Sequence, residues 1–140
     1  MKQCARCKSW IALHNFNDDP AGRLAKQANC RTCQAGLNAK AYRRGMTYLI
    51  NYMAANGCKD CAERDYRKLE FDHLSTKNFS PFRLASLSIS KLDAEIALCE
   101  VVCCNCHQLR TLQRADSYRW RLWQSEHEQY ENDAIGAAAA

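Results

Sequence analysis

The sequence predicts a small α+β fold pinned at two points by clustered cysteines, on three observations. Ten of the 140 residues are cysteine, and eight of them form four C-x-x-C pairs: Cys4/Cys7, Cys30/Cys33, Cys58/Cys61 and Cys103/Cys106. Between the second and third pairs runs a proline-free stretch with helical character. Between the third and fourth, a period-2 segment reads as a half-buried strand. Two prolines and 47% hydrophobic residues are ordinary for a globular chain.

Cysteine at this density means either a disulfide scaffold or metal sites. The chain begins MKQCARCKSW, with no apolar run of signal-peptide length, and no stretch approaches the ~20 apolar residues of a membrane span. A cytoplasmic location, with reduced thiols and no membrane partner, is therefore expected, and zinc accounts for the cysteines better than disulfides do. Each C-x-x-C turn presents two sulfurs to one tetrahedral ion, so four pairs predict two structural zinc ions. Sequential pairing assigns Cys4, Cys7, Cys30 and Cys33 to the first, and Cys58, Cys61, Cys103 and Cys106 to the second. The first set encloses 22 residues, near zinc-ribbon spacing; the second encloses 41, enough for structure of its own.

The formal charge of +5 changes once zinc is admitted. Four thiolates against one Zn²⁺ add about −2 per site, which brings the balance to about +1. Attraction to nucleic acid then depends on where Arg and Lys sit, and not on bulk charge.

Taken in order, residues 1–36 form a zinc-ribbon-like module, and residues 37–56 a linking helix. That helix closes at Asn56-Gly57, a helix C-cap signal, with Gly45 as a candidate kink. Residues 57–130 form a second domain. Within it, RKLEFDHL (Arg67 to Leu74) alternates as a strand, Ser75 to Ser90 lacks a period and reads as a long loop, and Ser90 caps a short helix KLDAEIALC. Leu92, Ile96 and Cys99 are its expected buried stripe. Val101-Val102 follow as a brief strand, then a helix from Cys104 to about Gln113 and another from Asp116 or Ser117. Residues 131–140 lack a burial pattern and read as a disordered tail.

The segments FDHL and EVVCCNCHQLRT, with a C-x-x-C upstream, resemble the HNH endonucleases of bacteriophages and related mobile elements, over about Cys58 to Arg114. The N-terminal Cys4 module, with its WIALHNF stretch, is similar to the short zinc module that precedes the nuclease in many phage members. The resemblance implies a ββα-metal core and a metal-dependent DNA endonuclease acting in the cytoplasm of a bacterial host. His73, ending the first strand, would be the general base. Asp72 and His107 would hold one divalent ion, Mg²⁺ or Mn²⁺ foremost, with Ni²⁺ or Zn²⁺ also compatible with an imidazole ligand. Many HNH proteins carry an Asn a few residues before the second zinc pair, which braces the loop of the base. Here Ala97-Leu98-Cys99-Glu100 has none, and Asn105 is the nearest candidate.

The chemistry explains why these residue types belong together. Phosphodiester hydrolysis needs a water made nucleophilic and positive charge near the departing oxygen. Zinc at the second cysteine set would hold the helix start against the strand, preorganising the site without taking part in the reaction. For binding double-stranded DNA, Lys77, Arg110 and Arg114 are candidate phosphate contacts, as are Lys40, Arg43 and Arg44. Taken singly, each can equally be a solvated helix face, and His107 could compete with Cys106 for zinc. His14 and His127 read as surface or packing residues, Cys99 as a buried thiol and Cys104 as a spare one. Trp120 and Trp123 read as anchors of the last helix. A zinc-dependent DNA-binding or adaptor protein without catalysis is the alternative, and a protein-interaction module a third reading. Monomer and homodimer are both compatible with the sequence.

Overall fold

The structure is a computed structural model that describes residues 1–75 and 80–127. Of the sequence expectations, Lys77 and the 131–140 tail lie outside these residues. The chain divides into two compact units, one of 1–52 with 75–98 and the other of 53–74 with the residues from 99 onward. Among the described residues, 80–98 cluster with the N-terminal ones. Among the described residues no helix is long and apolar enough to cross a membrane.

In the first unit, β1 (Lys2–Gln3) and β2 (Trp10–Ile11) form a short antiparallel hairpin around the Cys4/Cys7 turn. Lys8 adopts a positive φ of 63°, which lets its N–H return to the Cys4 carbonyl at 3.0 Å. β3 (Phe16–Asp18) pairs antiparallel with β4 (Lys26–Cys30), placing Phe16 opposite Cys30. Phe16, Cys4 and Cys30 are buried together, with Ile11 and Cys33 packed against them. A buried lysine completes this module. The Lys2 ammonium donates to the carbonyls of Arg23, Lys26 and Gln27 at 2.9, 2.6 and 2.9 Å, which satisfies all three of its N–H groups.

Helix α1 (Arg31–Asn56) follows β4 without an intervening loop. It begins six residues before the expected Leu37, because Cys33 is already in its first turn. It ends where Gly57, at φ 68°, donates its N–H to the Met53 carbonyl at 2.8 Å. Gly45 does not interrupt it. The helix is continuous there, and a Cβ at Gly45 would lie 1.9 Å from the Ala85 carbonyl oxygen. The glycine therefore serves a close backbone approach. In the same unit, α2 (Ile89–Ile96) starts two residues before the expected Lys91. Its N-cap is Ser88, whose carbonyl accepts from Lys91 and Leu92, both at 3.1 Å. Leu92 and Ile96 are buried as expected, whereas Cys99 belongs to a strand of the other unit.

The second unit holds β5 (Leu69–His73), β6 (Cys99–Cys103) and α3 (Cys104–Arg114). The two strands pair antiparallel in full register, Leu69 with Cys103 through His73 with Cys99. Leu69, Phe71, Val101, Val102, Met53 and Cys103 are among its buried residues. Helical residues α4 (118–127) follow, with the Ser117 hydroxyl accepting from the Trp120 N–H at 3.2 Å, an N-terminal cap. Trp120 and Trp123 stack at 5.1 Å between ring centroids, and Leu109 and Leu112 of α3 line the hollow beside them.

The Gly45 contact yields a paired prediction. Gly45→Ala should destabilise the protein by about 1–3 kcal/mol through overpacking. Gly36→Ala, with nothing within 4 Å of the new Cβ, should stabilise it by about 0.5–1 kcal/mol through helix propensity. Urea denaturation of the zinc-loaded variants reads both signs.

Candidate metal centres and the β5–α3 site

Two four-cysteine sets stand out among the described residues as metal-binding groups. They are Cys4, Cys7, Cys30 and Cys33, and Cys58, Cys61, Cys103 and Cys106, each with its ligand atoms within 4.8 Å of one another. This is the sequential pairing expected from the sequence. The Cys61 and Cys103 sulfurs are 3.7 Å apart. Tetrahedral zinc with bonds near 2.3 Å needs an edge of about 3.8 Å, so the donors and their spacing are compatible with two structural zinc ions.

The two sets are built to one plan. In each, the first pair occupies a tight turn, and the second straddles a strand–helix junction: Cys30 ends β4 with Cys33 in α1, and Cys103 ends β6 with Cys106 in α3. The residue after the first cysteine hydrogen-bonds to the strand, Ala5 N–H to the Ala28 carbonyl at 3.0 Å and Lys59 N–H to the Val101 carbonyl at 2.8 Å. The junction cysteine then donates its N–H to the first sulfur, Cys30 to Cys4 at 3.3 Å and Cys103 to Cys58 at 3.1 Å.

These N–H groups have an electrostatic consequence. The Cys30 N–H, assisted by those of Cys7 and Arg6, outweighs burial and lowers the Cys4 thiol to about 6. At Cys58, burial opposes ionisation, but the N–H groups of Cys103, Asp60 and Cys61 prevail and lower the thiol to about 7. Cys33 moves the other way, to about 12, through its bond with Cys30 and burial. Cys106 is likewise raised by Cys103 and burial. One thiolate per set forms readily and the last resists, so full deprotonation needs a cation among the four sulfurs.

Next to the second set lies a cluster of charged side chains between β5 and α3. Strand alternation puts Glu70 and Asp72 on one face of β5, and His107, Arg110 and Arg114 line one face of α3 at helical spacing. Asp72 is 3% exposed. Its Oδ1 accepts from Arg114 Nη1 at 2.7 Å, and its Oδ2 accepts from Arg114 Nη2 at 2.6 Å and Arg110 Nη1 at 2.9 Å. Burial works against its charge, yet the bonds from Arg114 and Arg110 win and hold its carboxyl at about 2. Arg110 also bonds both oxygens of Asp60 at 2.6 Å and pairs with Glu100 at 2.8 Å. The cluster therefore sets four carboxylates against two guanidiniums.

His107 sits between the two β5 carboxylates. Its Nδ1 is 2.6 Å from Glu70 Oε2, and its Nε2 is 3.5 Å from Asp72 Oδ1. With the proton on Nδ1, shared with Glu70, Nε2 keeps a lone pair directed toward Asp72. A carboxylate beside an imidazole nitrogen is a donor pair of the kind divalent cations take, but both Asp72 oxygens here accept from arginine.

The sequence-derived candidates fall as follows. Asp72 and His107 are together. His73, the last residue of β5, lies opposite Cys99 in the register, and alternation turns it away from the Asp72 face. Asn105 is exposed in the first turn of α3, and its side-chain oxygen accepts from the Cys104 thiol at 3.9 Å. Arg110 and Arg114, expected to face phosphates, are bound to carboxylates. Lys40 and Arg43 are exposed on α1, while Arg44 donates to the Leu87 carbonyl at 3.0 Å. Glu70, Asp60 and Glu100 were missed. Glu70 could have been found from its position two residues before Asp72, on the same strand face.

Three outcomes follow. A strong zinc chelator should abolish cooperative unfolding, and Cys58→Ser should act similarly on the second unit, whereas Cys104→Ser at an exposed position should be neutral within about 0.5 kcal/mol. Because the first thiol of each set is depressed when folded, its contribution is complete above the ordinary thiol range, near 9. It falls as pH drops through these lowered thiol values, and because zinc needs all four sulfurs deprotonated, acid should release the metal with proton uptake, read by a zinc-sensitive dye. Asp72→Asn should cost roughly 2 kcal/mol at neutral pH, measured by chemical denaturation, because it strips Arg110 and Arg114 of a buried partner. No protein-family model, curated protein or solved structure matches this chain, and its chemistry has to be read from these residues themselves.

Proposed function

We propose that the protein is a metal-dependent DNA endonuclease of the HNH type, with two structural zinc ions and one catalytic divalent ion. The observation that carries this reading is the meeting of Asp72 Oδ1 and His107 Nε2 at 3.5 Å, on a strand hairpin that runs straight into a helix. The four-cysteine set at that junction supplies the rigidity such a site needs.

Asp72 and His107 would hold the ion, with Glu70 fixing the His107 tautomer. The chemistry such an ion would supply is positive charge for the departing oxygen of the phosphodiester group. The HNH resemblance assigns the proton of the attacking water to His73, the strand-end residue next to Asp72, a role that requires its ring to turn from the opposite strand face toward the Asp72 side. The new P–O bond forms on the face opposite the departing oxygen, and the broken ester leaves a phosphate on one fragment and a hydroxyl on the other. Positive charge for the DNA backbone comes from Lys40 and Arg43 on α1, a 26-residue helix without a single Asp or Glu.

One observation favours a second reading, a zinc-dependent DNA-binding or adaptor protein that does not cut. Both oxygens of Asp72 are already engaged by arginine. A supercoiled-plasmid assay with Mg²⁺, Mn²⁺, Ni²⁺ or EDTA separates the two. The nuclease reading expects metal-dependent open-circle DNA, reduced at least ~100-fold by His73→Ala or His107→Ala with zinc content unchanged. Retention of DNA without cleavage under every metal would establish the adaptor.

A further inference from the structure

Asp72 is the acceptor of two arginines that are not equivalent. Arg110 is 16% exposed and shared among Asp60, Asp72 and Glu100, so it remains anchored if one partner is lost. Arg114 is 49% exposed, stands at the last residue of α3, and among the described residues has Asp72 as its sole hydrogen-bond partner. Its fork covers both Asp72 oxygens, including the one nearest His107 Nε2. A divalent ion on Asp72 and His107 would need that same oxygen. Two cations cannot share it without strong repulsion, and Arg114 is the one free to leave.

We infer that Arg114 is an exchangeable cation. It holds Asp72 when the divalent ion is absent, and is released by the ion to bind a phosphate of the DNA backbone. A guanidinium fork suits this exchange, because carboxylate and phosphate offer it the same pair of oxygens. Metal binding and DNA binding are then coupled through one side chain. By thermodynamic reciprocity, each ligand tightens the other by the same factor. The inference rests on the nuclease reading of Asp72 and His107, but it concerns binding and not turnover.

The test uses Mn²⁺, followed by electron paramagnetic resonance, on full-length zinc-loaded protein in a His73→Ala background that leaves a short DNA duplex intact. Arg114→Gln should bind Mn²⁺ about tenfold more tightly than its parent in the absence of DNA. Mn²⁺ should strengthen duplex binding by the parent and not by Arg114→Gln. Arg114→Lys, which keeps the charge without the fork, should fall between the two and guards against misfolding of the glutamine variant. Equal Mn²⁺ affinity in parent and variants overturns the exchange while leaving the metal site standing. Tighter Mn²⁺ binding with the DNA coupling intact in Arg114→Gln overturns the phosphate half of the proposal. Absence of Mn²⁺ binding in every form overturns both the exchange and the nuclease reading.

Discussion

Each cysteine module is closed by one contact, the N–H of a junction cysteine donated to the sulfur of a cysteine far away in sequence. Cys30 to Cys4 and Cys103 to Cys58 span 26 and 45 residues. Each locks a strand end to a turn at the point where a helix begins. The apolar core available to replace that contact is small: Phe16 beside its cysteines in one module, and the buried residues of a two-stranded sheet in the other. Modules with so few apolar side chains ordinarily need a metal or disulfides to fold. The same N–H groups that fix the backbone also stabilise the first thiolate, so the geometry that closes the fold prepares it for a cation.

Side chains on the junction helix inherit this rigidity. His107 follows Cys106 directly, and Asp72 is three residues along β5 from Leu69, the register partner of Cys103. The positions of Asp72 and His107 are therefore set by the cysteine clamp and by strand register. Their separation depends little on the rest of the chain. Arg110 extends the clamp electrostatically, tying Asp60 of the cysteine turn to Asp72 of β5 and Glu100 of β6.

Much of this was legible in the sequence, for physical reasons that differ by element. The cysteine sets were legible because C-x-x-C spacing is dictated by tetrahedral geometry. The C-terminus of α1 was legible through Gly57, whose positive φ is a local backbone requirement. The start of α1 was not, because Cys30 and Cys33 carry no capping signal and the strand passes into the helix without a turn residue. Gly45 was misleading for a related reason: the partner that explains it, Ala85, is 40 residues away. Asp72 and His107 were paired only through the resemblance to HNH endonucleases. The arginine fork on Asp72 was not legible, since residues 72 and 114 become neighbours only after β5 and α3 pack.

The shared plan of the two cysteine sets sharpens the case for where chemistry resides. Aligning Cys33 with Cys106 sets Gln34 against His107, Leu37 against Arg110 and Ala41 against Arg114. The first helix thus presents an amide, an isobutyl and a methyl group where the second presents an imidazole and two guanidiniums. A scaffold used purely for stability has no need of the second set, because buried ion pairs cost desolvation that apolar side chains avoid. Burying Asp72 under two arginines is therefore poorly explained by stability alone. The first module keeps the clamp and presents none of these charges at the corresponding positions.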